Sequence, residues 1–266
     1  MVGRDVELER RQQAKLGSSL LSVTNLTVGG RGTSRQKKLD GISFDVRAGE
    51  VFGIFGSVGC GADELVKALF GIVPYSPANA LRINGKRISI QKPSHAIQAG
   101  LGYLPGHRQR DAIFPRLSVG QNISVLALDR LTRNGIVLPS QEAQLINQFY
   151  SRFRIRAQSV DSAISTLSGG NQQKAILARV LSRDPDVLIL HEPTQGVDIA
   201  TKQDVYRVID SLAQAGKAVL LASSDLEEVL IMSDRILVLK QGRSMGIWDR
   251  NAAKQHNVLA AATGGH

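Results

Sequence analysis

Between residues 171 and 240 the chain repeatedly alternates a helical pattern with a short apolar run, and that order leaves few folds open. A helix is expected over about 171–182, then the strand VLIL at 187–190, a helix over 201–215, the strand AVLLA at 218–222, a short helix from Asp225 and the strand RILVLK at 235–240. Apolar runs of this kind fit strands buried on both faces, which lie parallel when helices connect them. The expectation is an α/β fold with a mainly parallel sheet. EVFGIFG at 50–56 is nearly continuous and reads as another buried strand, whereas GISFDV at 41–46 alternates like a half-buried one. Leu20 to Leu26 and the stretch LRINGKRISI at 81–90, with Asn84-Gly85 as a tight turn, complete an antiparallel β subdomain. GLGYLP at 100–105 is a further strand. From His107 to about Thr166 there are helical patterns near 118–128 and 140–154 and no strong strand, so this part reads as a helical lobe inserted into the sheet domain.

The strand EVFGIFG runs into GSVGCGADEL and then a helix-like VKALF. A phosphate-binding loop of the form GxxxxGK[ST] uses backbone amides and a helix N-terminus to hold phosphates, a lysine to neutralise them and a hydroxyl to bind magnesium. Here only the frame is present. Gly56, Ser57, Gly59, Cys60 and Gly61 keep the glycine spacing, but Ala62 stands in the lysine position and Asp63 in that of the hydroxyl. Lys67 lies more than a helical turn further on and is a poor replacement. Cys60, just ahead of a helix N-terminus, could have a depressed thiol pKa, or it could be a small filler residue.

Further along come LSGGNQQK at 167–174, HEPTQGVD at 191–198 and ASSD at 222–225. Together with the phosphate-loop frame, these resemble the ATP-binding subunits of ATP-binding cassette (ABC) transporters. The NQQK ending, GLGYLPGHRQRD at 100–111 and the closing LAAATGG at 259–265 resemble the carbohydrate importers of the ribose and galactose type. The resemblance covers nearly the whole chain from Leu20 onward. It implies the P-loop NTPase-like fold of ABC ATPases, with residues 1–18 as a linker-like start and 19–266 as the nucleotide-binding domain. The start MVGR resembles the segment that joins the first to the second of two fused domains, so the chain is expected to correspond to the second, C-terminal one.

The resemblance implies a head-to-tail pair of such domains, each ATP lying between the phosphate loop of one and the signature of the other. Carried over by position, Leu167, Ser168, Gly169, Gly170 and Gln172 form the signature offered to a partner's ATP, and Asp198 couples the two sites. Ser168 and the amides after it would receive γ-phosphate charge, although a serine there is also an ordinary helix N-cap. Glu192 matches the glutamate that polarises the attacking water. Three positions depart from the pattern: His191 replaces the magnesium aspartate, Ser224 the switch histidine and Gly106 the glutamine at the lobe entrance. Imidazole suits a hard cation poorly. A protonated His191 could instead face phosphate in place of the lysine. No aromatic stands near Val28 to stack adenine.

The losses fall on the chain's own site, so the expectation is a weak or inactive ATPase that completes a partner's site, with ATP as ligand and magnesium held mainly on the partner's side. The other implied partners are transmembrane permease subunits, received by a groove near Tyr103 to Asn122, and indirectly a periplasmic or extracellular sugar-binding protein. The implied location is cytoplasmic, peripheral on the inner face of the membrane. No apolar run is long enough to cross a bilayer, the N-terminus lacks the apolar core of a secretory signal, and the single cysteine fits a reducing compartment. The net charge of +10 raises the alternative of a soluble cassette ATPase acting on ribosomes or nucleic acid. The basic clusters Arg10-Arg11, Arg35 to Lys38 and Arg108 with Arg110 have no interleaved aromatics, so direct nucleic-acid binding is not expected. A non-functional remnant is the third reading.

Overall fold

The structure, a computed structural model, describes residues 11–29, 37–77 and 80–263. The MVGR start, the first residues of the linker-like segment, Arg10, Arg35 and the final Gly264-Gly265 lie outside the described residues, as does most of the stretch after Val28.

The strands are β1 (Ser19–Val28), β2 (Leu39–Arg47), β3 (Val51–Phe55), β4 (Leu81–Ile83), β5 (Lys86–Ile88), β6 (Leu101–Leu104), β7 (Thr132–Arg133), β8 (Ile136–Val137), β9 (Val187–His191), β10 (Ala218–Ala222), β11 (Arg235–Lys240) and β12 (Arg243–Asp249). The helices are α1 (Ala62–Leu69), α2 (Pro93–Gln98), α3 (Val119–Ser124), α4 (Leu128–Leu131), α5 (Pro139–Arg152), α6 (Gly169–Leu181), α7 (Ile199–Gln214), α8 (Leu226–Met232) and α9 (Gln255–Thr263). A six-stranded sheet runs in the order β12-β11-β3-β10-β9-β6. Its strands pair in parallel except β12, which returns antiparallel along β11. Every residue of β3 and β10 is buried, as their unbroken apolar runs require of central strands covered on both faces.

A second, antiparallel sheet has the order β2-β1-β4-β5. Its β4–β5 turn has Asn84 and Gly85 both at positive φ, the geometry that the Asn-Gly pair favours in a two-residue hairpin. One face of the six-stranded sheet shares a core with the antiparallel sheet, where Phe44 stacks on Phe52 at 5.0 Å between ring centres, and its other face packs on helices. Residues 11–17 have no regular structure, yet they are docked. Arg11 is buried, donates to the Met232 carbonyl at 2.8 Å, bonds Asp234 and lies 3.2 Å from Asp210. Composition suggests a free linker here; the guanidinium is held because it answers buried carboxyl charge.

The segment between β6 and β9 is mainly helical, with the two-stranded β7–β8 pair within it. Ser118 opens α3 with a reciprocal capping box to Gln121, which explains why the helix starts there. Arg179 of α6 pins this lobe to the core. Its buried guanidinium bonds the Asn122 carbonyl, the Asn122 side chain and the Ala112 carbonyl, and lies 4.8 Å from the centre of the Phe114 ring. Burial without a carboxylate partner draws its pKa down to about 10. Arg179→Ala leaves those buried acceptors unpaired, so we expect a loss of about 3 kcal/mol. Calorimetry should then record a melting temperature lower by about 6–12 °C; a fall of less than about 2 °C would show that the lobe is anchored otherwise.

Candidate functional site

The glycine-rich loop closes off β3 and delivers the chain to α1. Gly59 and Gly61 have φ of 80° and 106°, and a side chain on Gly61 would meet the Leu39 side chain at 2.7 Å and the Lys38 carbonyl at 3.0 Å. The frame of a phosphate cradle is therefore built by backbone. Gly61 is the residue before the helix, and its left-handed conformation turns the chain so that α1 points its N-terminus at the loop. Gly56, Ser57 and the fully exposed Val58 form the near side. Cys60 points inward, 6% exposed, and burial raises its thiol pKa. Burial thus opposes the activation that a helix N-terminus would give, and Cys60 packs as a filler of the turn.

The side chains inside this cradle oppose phosphate. Ala62 supplies no charge, and Asp63 places its carboxylate at the first turn of α1. One oxygen of Asp63 takes the Lys67 ammonium at 2.7 Å and the other lies 3.7 Å from Nδ1 of His191. Lys67, the nearest cation on α1, is thus turned onto a carboxylate of its own helix. His191 ends β9. Burial lowers its pKa, with Asp63 and Glu192 pulling the other way, so at neutral pH the ring is uncharged and does not replace the missing lysine. The expectation of a protonated His191 facing phosphate is thereby confined to the acid side of neutrality. Gly106 adjoins the same ring: a side chain there would meet His191 Nδ1 at 3.2 Å. The two departures from the family pattern are neighbours in space, the space left by one taken by the other.

A magnesium ion would find a neutral imidazole and a lysine-bound carboxylate here, which is a poor donor set for a hard cation. Among the described residues, no cluster of three or more His, Cys, Asp or Glu side chains is placed to hold a metal.

Glu192 follows at φ 48°, a conformation that costs a non-glycine residue energy and aims the side chain away from the strand direction. Its Oε1 accepts the Ser224 amide at 2.7 Å and its Oε2 lies 3.4 Å from the Ser223 hydroxyl. Ser224, expected to stand where the resemblance implies a switch histidine, contributes a backbone amide to this contact.

The signature residues are organised differently. Ser168 is exposed and stands before α6, and its hydroxyl accepts from Asn171 Nδ2 at 3.0 Å, with no side-chain cap on the first helical amides. Gly169 and Gly170 begin the helix. The Thr201 hydroxyl occupies the place of any side chain at Gly170, and that hydroxyl in turn donates to Asp198 at 2.9 Å. Asp198 caps α7 through the Thr201 amide, which holds its carboxyl below the usual range. So the signature and Asp198 form one packed unit, while Leu167 is half-buried behind it. Gln172 reaches back to the lobe, accepting from Gln109 at 3.0 Å and donating to the Ile164 carbonyl at 3.2 Å. Arg108, read from sequence as part of a basic cluster and of the stretch GLGYLPGHRQRD but given no role at the signature, lies 3.4 Å from Gln173 and against Gly169. No spacing in the sequence joins residue 108 to residue 169; their contact depends on how the lobe folds back.

A groove of about 750 Å³ lies between the core and the lobe; Tyr103 and Phe114 of the segment from Tyr103 onward line part of it, with Asp63, Lys67, Phe70 and Ile176. No helix among the described residues is long and apolar enough to cross a membrane.

Comparison with known proteins gives a consistent picture. The family model described as ABC transporter matches residues 39–195. A xylose import ATP-binding protein, XylG of Burkholderia ambifaria, is 41% identical over 263 residues, 98% of this chain and 51% of that protein. A ribose import ATP-binding protein, RbsA of Chromobacterium violaceum, is 39% identical over 266 residues, 100% of this chain and 51% of that protein. The chain spans about half the length of these curated relatives. Among solved structures, the ATP-binding cassette MJ1267 superposes with a TM-score of 0.79 at 18% identity, covering 93% of this chain and 98% of that one. The cassette MJ0796, solved as a dimer in a post-hydrolysis state bound to ADP and Pi, superposes at 0.74 and 18% identity, covering 87% of this chain and 99% of that one. At such identities the likeness speaks for the fold alone.

Proposed function

The chain belongs to the ABC transporter family, and from that premise we propose that it is the nucleotide-binding domain of a sugar importer whose own ATP site is degenerate and whose signature completes the ATP site of a partner domain. One observation carries this reading. Asp63 sits in the phosphate cradle paired with Lys67 and faced by a neutral His191, whereas Ser168 is exposed just before α6, whose start has no side-chain cap. A triphosphate entering the cradle meets a carboxylate and finds no free cation from the loop. A triphosphate held by a facing domain would meet a serine hydroxyl and the positive end of a 13-residue helix.

In this reading ATP is the ligand, and magnesium is held on the partner's side. A second nucleotide-binding domain packs head to tail on the Ser168 and Asp198 face, and the groove beside Tyr103 receives a transmembrane permease. A binding protein outside the membrane delivers the sugar, and the chain lies on the inner face of the membrane through its permease. The names of the xylose and ribose relatives favour monosaccharide import.

The test measures ATP hydrolysis by the chain alone and by the chain mixed with a competent cassette domain from an importer of this type. Little turnover alone and a clear rise above the competent domain's own rate are expected. Brisk magnesium-dependent hydrolysis by the isolated chain would sink the degenerate-site reading. No rise in the mixture, together with salt-sensitive binding to RNA, would favour a soluble cassette ATPase instead.

A further inference from the structure

Glu192 and Asp198 stand at the two ends of one loop, between β9 and α7, and the structure grips that loop from two sides. From α6, Gln173 donates through Nε2 to the Pro193 carbonyl at 2.7 Å. From α8, Glu228 accepts through Oε1 the hydroxyl of Thr194 at 2.8 Å, and Glu228 is 1% exposed. The other oxygen of Glu228 and the hydroxyl of Tyr206 are also buried and adjoin each other without a hydrogen bond of ordinary geometry. A buried carboxyl that touches a loop hydroxyl and leaves its second oxygen unanswered is costly unless it has a role or holds a proton.

We propose that Glu228 is a positioning residue: through Thr194 its carboxyl sets the conformation of the loop from Glu192 to Asp198, and with it the placement of both acidic residues. The bearing of this on ATP turnover rests on the function proposed above; the order of the loop does not. Lys202 of α7 does not neutralise Glu228 directly, because its ammonium is engaged by Asp225 at 2.6 Å. The other groups facing Glu228 are Tyr206 of α7, Asp225 capping α8, Ser223 of the turn before it and Thr194 of the loop. Burial raises the Glu228 carboxyl pKa, while Ser223, Thr194 and Lys202 lower it and Asp225 adds to the rise.

The raised pKa keeps the folded carboxyl protonated to higher pH than the unfolded one, so the fold as a whole loses stability as pH rises through the folded value. The Thr194 hydroxyl donates to the carboxyl in either form and favours the ionised one, so the grip on the loop outlasts ionisation. A glutamine keeps the shape and the acceptor of the protonated carboxyl and cannot ionise.

Hydrogen exchange on the purified chain, read on peptides that cover residues 192–198, tests the proposal without any partner. Glu228→Ala should raise exchange there about ten-fold, the equivalent of one buried hydrogen bond. Glu228→Gln should stay within about two-fold of the unaltered chain. Thr194→Val, which removes the hydroxyl and leaves Glu228 in place, should reproduce the alanine result even if Glu228→Ala fails to fold. Unchanged exchange in Thr194→Val, a glutamine variant as loose as the alanine one, or equal loosening of α9 would each overturn the proposal.

Discussion

Ser168→Arg in this chain is expected to lower ATP turnover by its mixture with a competent cassette domain about a hundred-fold or more, the usual scale for removing a donor aimed at developing phosphate charge. The side chain at this position is exposed, so arginine has room and the fold should be unaffected. What it takes away is a hydroxyl oriented by Asn171 at the uncapped start of α6. What it adds is bulk on the surface where a facing nucleotide would lie. The control is Glu192→Gln. Glu192 already spends its two oxygens on Ser224 and Ser223, beside a cradle that lacks its cation, so this variant should leave the mixture's turnover near that of the unaltered chain. Steady-state ATPase rates of the mixtures decide it. If Ser168→Arg is silent while Glu192→Gln abolishes turnover, the roles assigned to the two sites are reversed.

The second large effect is a gain. Ala62→Lys combined with Asp63→Ser should tighten ATP binding to the isolated chain about a hundred-fold, roughly ten-fold for each unit of charge changed beside the phosphates. Two causes act together. The lysine enters at the first position of α1, where the backbone frame is already shaped for phosphate, and removing the carboxylate frees Lys67 and takes away the negative charge facing His191. Adding His191→Asp should then make the binding depend on magnesium, because it restores a hard oxygen donor at the end of β9. Calorimetric titration with and without magnesium gives both answers. An affinity indifferent to the double substitution would mean that the cradle is closed by geometry and not by charge.

Cys60 and His191 show where reasoning from neighbours in the chain reaches its limit. A thiol before a helix N-terminus can be read as activated or as a mere filler, and an imidazole beside a phosphate loop as a substitute cation once protonated. Both readings weigh the nearest dipole or charge and leave out desolvation, which depends on everything else packed around the group. In the folded chain burial dominates both, raising one pKa and lowering the other.

From its own order of residues the chain determined a parallel sheet with helical crossovers, an Asn-Gly hairpin, a glycine frame without its lysine and an intact signature, since each is written in runs and spacings a few residues long. Tertiary packing alone decided that Asp63 lies between Lys67 and His191, that His191 borders Gly106, that Arg108 reaches the signature, that Arg11 is anchored and that Glu228 holds Thr194. Periodicity sets which way a side chain faces along its own element; which distant group it meets, and how much water it loses there, is settled only when the elements close on one another.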